Sequence, residues 1–332
     1  MERRIIGTGA PPAPAGVRRL VVDEGSAGQR LDNFLLRELK GVPKAHVYRV
    51  IRSGEVRLNK GRAAADTRVA SGDEVRVPPV RLPVRPASAA VPAREFPLLY
   101  EDEHLLAIDK PAGVAVHGGS GVAHGVIEQL RRARPGARFL ELVHRLDKET
   151  SGVLLLAKRR SALTALQEQF RQRGPHKVYA ALVFGDWPER LARIDEPLLR
   201  TLDATGARHV RVVAPETADA RRSITLVRVA RRAAPAGTAV TLLDVTIRTG
   251  RTHQIRVHLA HAGHPIVGDP KYGDFARNRA FERATRFERM FLHARELSFD
   301  HPAGGARITL TAPLPDDCST LLAQVPSAPP RP

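Results

Sequence analysis

Cysteine is nearly absent: Cys318 is the only one among 332 residues. A single thiol cannot close a disulfide within the chain, and a zinc site built on cysteine thiolates is excluded with it. No apolar run approaches the roughly 20 residues that span a bilayer as a helix. The start, Met1-Glu2-Arg3-Arg4-Ile5-Ile6-Gly7, leads into alanine and proline and has no apolar core of signal-peptide length. A soluble cytoplasmic protein is the simplest expectation.

Acid is scarce as well. Lysine and arginine number 53 against 35 aspartates and glutamates, a net charge of +18 with a pI near 11.1. Such an excess points to an anionic partner, with nucleic acid ahead of membrane. Most of it is arginine, which suits bidentate phosphate contacts and stacking on bases.

Familiar catalytic signatures are missing. There is no G-x-x-x-x-G-K-[ST] loop, and Gly118-Gly119-Ser120-Gly121 lacks the lysine and helix that a phosphate loop needs. Neither a G-x-S-x-G elbow nor H-E-x-x-H occurs, and the H-x-E and P-C-x-x-C pair of base deaminases is absent. His253, His258, His261 and His264 are close in sequence, but a zinc site normally adds a carboxylate or thiolate and keeps its ligands on one face. His258 and His261 share a helical face, His253 lies on another, and Gly263-His264-Pro265 reads as a turn. They are read as helix-surface or hydrogen-bonding histidines, and no metal is expected.

What is present centres on Leu142-Val143-His144-Arg145-Leu146-Asp147-Lys148-Glu149-Thr150-Ser151-Gly152, followed by an apolar run from 153 to 157. Thr150-Ser151-Gly152 has turn chemistry. An acid set among bases before a buried strand is harder to explain structurally. Asp147 is therefore read as a reactive carboxylate whose basic neighbours Arg145 and Lys148 hold it ionised.

In chain order, residues 1–16 are expected to be disordered. Leu31, Phe34, Leu35 and Leu39 fall at helical spacing, with Gly41 and Pro43 as stops. A second helix turns Val47, Val50 and Ile51 inward and Lys44, Arg49 and Arg52 outward, ending at Gly54. Strands at 55–58 and 74–77 flank an Asn59-Lys60-Gly61 turn. A proline-bearing linker at 81–95 precedes a larger domain, 96–318, and a flexible tail, 319–332. In the larger domain strands are expected at 105–108, 178–184 and 239–247, with helices around Val126, Ile127 and Leu130 and over 161–173. In the last strand Leu243, Val245 and Ile247 alternate with Asp244 and Thr246. Many strands and few helices argue for a mixed, mostly antiparallel sheet.

Arg30-Leu31-Asp32-Asn33-Phe34-Leu35, Ile51-Arg52-Ser53-Gly54-Glu55-Val56-Arg57-Leu58-Asn59 and Gly72-Asp73-Glu74-Val75 together resemble an S4 RNA-binding domain, here 17–80. In that family the second helix and the following turn lie on RNA, which implies contacts by Lys44, Arg49, Arg52 and Lys60. On spacing alone these would read equally well as a solvated basic face.

The second half resembles the Rlu-type pseudouridine synthases. The likeness rests on His144-Arg145-Leu146-Asp147, Lys177-Val178-Tyr179-Ala180-Ala181, Thr249-Gly250-Arg251-Thr252-His253-Gln254-Ile255-Arg256-Val257-His258 and Gly263-His264-Pro265-Ile266-Val267-Gly268-Asp269. Lys110-Pro111-x-Gly113 and Phe291-Leu292-His293-Ala294 extend it. The resemblance implies an α+β protein: a small N-terminal S4 domain, then a synthase domain with a mixed, mostly antiparallel sheet and a central cleft. It implies an isomerase that needs no cofactor, acting on large-subunit (23S) ribosomal RNA or its precursor, and a monomer. Asp147 would be the nucleophile or base that opens the C1′–N1 bond of uridine. Tyr179 would pack against the base and take part in removing the C5 proton, Arg256 would pair with Asp147, and Arg145 would enter the RNA where the base flips out. Arg251 either buttresses a turn or touches phosphate. Two alternatives stand beside this. A non-catalytic RNA-binding assembly factor would lack Asp147, Tyr179 or Arg256, and all three are present. An S4-bearing methyltransferase would need a Gly-rich cofactor loop after the first strand, which Lys110-Pro111-x-Gly113 is not.

Arg221-Arg222-Ser223-Ile224-Thr225 departs from the family pattern, and residues 277–289 hold five arginines in a low-complexity helical stretch. Neither lies in the implied site.

Overall fold

The computed structural model describes residues 16–39, 41–80, 91–119, 122–202 and 208–323. The chain divides into two units, Met1–Ala90 and Val91–Pro332. Residues 1–15 of the expected disordered start (1–16) and 81–90 of the expected linker (81–95) lie outside the described residues.

The first unit carries β1 (Arg18–Val21), α1 (Leu31–Glu38), α2 (Lys44–Arg52), β2 (Arg57–Leu58) and β3 (Glu74–Val77). β3 lies between β1 and β2, antiparallel to both. Leu31, Phe34, Leu35, Val47, Val50 and Ile51 are buried with Val75 and Val77, so the apolar faces of both helices meet one core. Asp32 is buried in α1. Arg30 grips it through Nε (3.2 Å) and Nη2 (2.8 Å), and the Tyr48 hydroxyl donates to it at 2.9 Å. After β2, Asn59 and Lys60 both take left-handed backbone (φ 47° and 69°), and Leu58 and Gly61 exchange backbone bonds across them. That is the primed turn whose twist matches a two-residue hairpin.

The second unit begins with β4 (Leu98–Glu101), β5 (Leu105–Lys110), α3 (Val126–Ala133), β6 (Glu141–Leu142) and β7 (Ser151–Ala157). Then come α4 (Arg160–Arg171), β8 (His176–Phe184), β9 (Arg193–Asp195), β10 (Leu198–Leu202) and β11 (Arg208–Val212). β12 (Ile224–Ala233), β13 (Val240–Ile247), α5 (Gln254–His261), α6 (Phe275–Thr285), β14 (Leu292–Asp300), β15 (Arg307–Thr311) and α7 (Asp316–Ala323) complete it.

Ten of these strands form one sheet in the order β4-β5-β7-β14-β8-β13-β12-β9, with β15 on β14 and β6 on β7. β7 and β14 run parallel, and the other pairings described are antiparallel. Alternate residues of a strand face opposite sides. Leu154 and Leu156 pack with α3 and α5, whereas Val153 and Leu155 pack with α4. Further along, Ala181 and Val183 face α5, while Leu182 and Phe184 meet Phe281 of α6 and Cys318 and Leu321 of α7. With both faces covered, the central strands read as continuous apolar runs.

Two expectations need correction. Ser151-Gly152 is not a turn but the start of β7; the turn is one step earlier, where Thr150 N donates to the Asp147 carbonyl at 3.1 Å. Gly152 (φ 109°) is needed because a Cβ there would lie 2.2 Å from the Ala294 carbonyl oxygen of β14. The tail does not begin at 319: residues up to Ala323 form α7, because Cys318 and Leu321 bury against the sheet. The alternation expected in β13 holds, and Asp244 on the face opposite Leu243 and Val245 is buried and paired with Arg295 at 2.7 Å and with Arg228.

Candidate active site

The turn carrying Asp147 is held from three sides. Leu146 is buried in the core beneath it. His144 accepts the Leu155 N–H of β7 through Nε2 at 3.1 Å and stacks on Phe170 of α4, 5.1 Å between ring centres. Beneath the turn, Lys110 is fully buried at the end of β5. Its ammonium donates to the carbonyls of Pro111 (2.7 Å), Val114 (2.8 Å) and Lys148 (3.1 Å). Burial pulls the Lys110 pKa down to about 7, against the opposing charge of Glu149. Three donors meet three carbonyls, and one of those carbonyls belongs to the residue after Asp147. Lys110 is therefore a clamp on the Asp147 turn, a role its place in a Lys-Pro-x-Gly motif did not reveal.

Arg256 comes from α5, which enters just after the β13 strand. Gln254 fixes that entry with all four hydrogen-bonding positions of its amide. Its Nε2 donates to the Ile224 carbonyl and the Thr225 hydroxyl, and its Oε1 accepts from the Thr249 hydroxyl and Arg251 N–H. Ile255 and Leu259 point into the core. Arg256 grips Asp269 with a two-pronged fork, Nε to Oδ2 and Nη2 to Oδ1, each 2.8 Å. Its remaining nitrogen, Nη1, donates to Asp147 Oδ2 at 3.2 Å. Burial alone would lower the Arg256 pKa, but Asp269 and Asp147 outweigh it and push it up. Burial likewise works against the Asp269 charge, and the Arg256 fork holds its carboxyl below the ordinary range. Asp269 belonged to a recognised motif, but nothing in the sequence marked it as the partner of Arg256.

Tyr179 lies near the start of β8, on the face covered by α5, opposite Val245 and Ala294 of the flanking strands. Burial raises its phenol pKa well above the usual value, and the charge of Asp147 adds to this. A phenol so placed stays neutral. His253, which precedes α5 in left-handed backbone (φ 54°), puts Nε2 3.9 Å from Asp147 and Nδ1 2.7 Å from the Tyr272 hydroxyl. Burial lowers its pKa, so the imidazole is neutral near pH 7. His258 is a buried histidine rather than a surface one, bonded to Thr225 (2.9 Å) and the Glu196 carbonyl (3.0 Å).

Asp147, Tyr179, His253 and Arg256 surround a cavity of about 240 Å³, lined also by Phe170, Lys177, Ile247, Ile255 and Leu292. Asp147 keeps a fifth of its side chain exposed, facing this space, and Arg256 is buried behind it. Arg145 and Arg251 are exposed and line the same cavity. The cation that contacts Asp147 is thus Arg256 and not its sequence neighbours: Lys148 turns to Glu149 at 3.8 Å. Lys44, Arg49, Arg52 and Lys60 are exposed in the first unit, three on α2 and Lys60 in the primed turn. Among the described residues no group of three or more His, Cys, Asp or Glu side chains is placed to hold a metal, and no helix is long and apolar enough to cross a membrane.

An ionised carboxylate with an apolar and aromatic wall can attack or deprotonate a sugar while a flat base lies beside it. Comparison with known proteins gives the same direction. The RNA pseudouridylate synthase profile matches residues 104–261, and that of the S4 domain matches 29–75. A ribosomal large subunit pseudouridine synthase C from Escherichia coli (strain K12) is 47% identical over 319 residues, 94% of this chain and 98% of that protein. Those of Salmonella typhi and Haemophilus ducreyi are 48% and 45% identical, over 90% and 94% of this chain and 93% and 96% of their own. Among solved structures, human RNA pseudouridylate synthase domain containing 1 superposes with a TM-score of 0.58 at 26% identity, over 70% of this chain and 89% of its own. Human RNA pseudouridylate synthase domain containing 4 gives 0.55 at 26%, over 71% and 95%. The chain belongs to the RNA pseudouridylate synthase family and is an isomerase with an S4 domain ahead of its catalytic domain.

Proposed function

We propose that this chain converts uridines of large-subunit (23S) ribosomal RNA to pseudouridine, with Asp147 as the reacting carboxylate. The observation that carries the reading is the convergence of Asp147, Arg256 and Tyr179 on one open cavity. The names of the relatives, which cover nearly the whole chain, favour ribosomal RNA as substrate.

The reaction balances without a cofactor. The C1′–N1 bond breaks, C1′ bonds to C5, C5 loses its proton and N1 gains one. Acting as nucleophile, Asp147 forms an ester at C1′ that C5 then displaces. Acting as base, it takes a proton from the neighbouring sugar carbon and later returns it. Both routes need the carboxylate ionised after a flipped base has displaced water, and Arg256 supplies the charge that keeps it so. Tyr179, neutral and buried, gives the base a flat wall while it turns from N1 to C5. Arg145 fills the gap left in the RNA, and Arg251 meets phosphate beside it. Lys44, Arg49, Arg52 and Lys60 of the S4 unit add sequence-independent phosphate contacts, so affinity falls with salt. A ribosomal RNA substrate is encountered in the cytoplasm, where this reading places the enzyme.

The test is to map pseudouridines in 23S ribosomal RNA from cells with and without the gene. Loss of specific pseudouridines, restored by the intact gene but not by Asp147→Asn, is expected. An unchanged map would overturn the substrate.

A further inference from the structure

Lys177 stands two residues before Tyr179 on β8, so period two brings both to the catalytic cavity. It is half-buried, with its ammonium 5.5 Å from the centre of the Phe170 ring. Among the described residues no carboxylate reaches it. A cation taken from water without a counter-ion is costly, and burial lowers its pKa accordingly.

The other side of Lys177 opens on a second cavity, of about 170 Å³, where Arg173, His176, Arg248 and Arg307 also stand. No carboxylate lines it. Arg307 is fixed by the Gly174 carbonyl (3.2 Å) and by Asp300 (3.0 Å) outside the cavity. Arg173 is set by left-handed backbone (φ 62°) just beyond α4, and Arg248 by its N–H bond to the Ile224 carbonyl. Arginines here could simply complement the C-terminal end of α4. That accounts for Arg173, and the Gly174 carbonyl and Asp300 account for Arg307, but neither accounts for Lys177 or Arg248, which come from strands or their ends.

Water screens the exposed Arg173, Arg248 and Arg307 from one another, but the half-buried Lys177 has no such screening, and an anion entering the hollow would meet it together with Arg173 and Arg248. The space suffices for a phosphate, since a water takes only about 30 Å³ in the liquid. Guanidinium groups suit its oxygens in two-pronged fashion. The two cavities share Lys177 and Ile247, and a nucleotide whose base enters the first carries its own phosphodiesters one sugar away. We infer that the hollow between the end of α4 and the end of β13 is a phosphate subsite, taking a phosphodiester of the substrate strand next to the uridine being isomerised. Lys177 then acts as the bridge between the two cavities. This rests on the function proposed above.

The experiment uses the full-length enzyme and RNA fragments around a uridine that the wild type converts. In separate fragments, each phosphodiester flanking that uridine is replaced by a neutral methylphosphonate. Dissociation constants are measured over a range of salt for wild type, Arg173→Ala/Arg248→Ala, the corresponding Lys pair and Lys177→Gln. At one position, the methylphosphonate should weaken wild-type binding by roughly tenfold, the value of one charge-assisted hydrogen bond. It should have little further effect on the Ala pair or on Lys177→Gln. The Ala pair should also lose about 0.7 of salt slope for each lost contact, and the Lys pair should keep it. Additive losses at every position, or an unchanged slope, would overturn the subsite. So would protection of the wild type by inorganic phosphate without coupling to any methylphosphonate, which would mark a free-anion site. A wild type that makes product but shows no coupling refutes this inference alone. A wild type that makes no pseudouridine in ribosomal RNA refutes the function beneath it.

Discussion

Arg256 meets Asp269 through two parallel 2.8 Å bonds and is thereby held rigid, with only its third nitrogen left for Asp147. Asp269 is itself tied to the backbone, accepting from the N–H groups of Lys271 (2.8 Å) and Tyr272 (3.0 Å). The orientation of the cation behind Asp147 is thus set by a second carboxylate that never faces the cavity. Asp269→Asn should keep the backbone bonds but break the fork. Removing one partner of a buried pair costs about 3–5 kcal/mol, so thermal unfolding should shift down and turnover should fall. A variant that unfolds earlier yet turns over like wild type would show that Arg256 needs no such support.

Lys110→Met tests the clamp below the Asp147 turn. Three carbonyls lose their donor, at about 1–3 kcal/mol for each that is left unsatisfied away from water. Because one of them is the Lys148 carbonyl, the loss should extend from stability to kcat, with KM for RNA little changed. Single-turnover rates at saturating RNA measure this. Equal rates in parent and variant would confine Lys110 to the fold.

Gly152→Ala should fail to accumulate as folded protein. A Cβ there would overlap the Ala294 carbonyl in the parallel β7–β14 pairing, and the backbone is left-handed besides (φ 109°). Circular dichroism and thermal unfolding report the result. A stable, active alanine variant would contradict the register described.

Two histidines, His293 buried and His144 half-buried, give the fold a pH dependence of definite sign. Burial holds the pKa of His144 and of His293 down to about 4, against about 6.5 in the unfolded chain. Between these values the unfolded chain binds protons that the folded one does not, so stability rises with pH across the window and falls as pH drops from about 6.5 towards 4. Each histidine contributes at most about 1.4 kcal/mol per pH unit. His293 accepts from Ser151 (2.9 Å) and donates to the Ala312 carbonyl (3.2 Å). His293→Gln should be less stable at pH 7 and lose part of the slope between pH 6.5 and 4.5 in denaturant unfolding. A parallel pH profile in parent and variant would refute its share.

The sequence was most legible where burial is periodic. Leu31, Phe34 and Leu35, and likewise Val47, Val50 and Ile51, reveal α1 and α2 because one face of each meets a core. The apolar run after Gly152 reveals a strand covered on both sides. Asp147, Tyr179 and Arg256 could be singled out by motif. The pairing of Arg256 with Asp147, 109 residues apart, followed from the family resemblance, whereas the fork to Asp269 exists only in the folded chain and nothing in the sequence announced it. Ser151-Gly152 was misread for a related reason. The glycine answers to a strand that arrives from residue 294, not to a local turn. α7 was missed because its apolar contacts, Cys318 and Leu321, are sparse in sequence and their partners are distant.

The most direct test of the central claim is tritium release from RNA labelled at C5 of uridine, measured with wild type, Asp147→Asn and Asp147→Ala, alongside their affinity for the same RNA. The account predicts release by the wild type, none above background by either variant, and binding nearly intact in all three. Release by Asp147→Ala at a rate close to wild type would remove Asp147 from the chemistry.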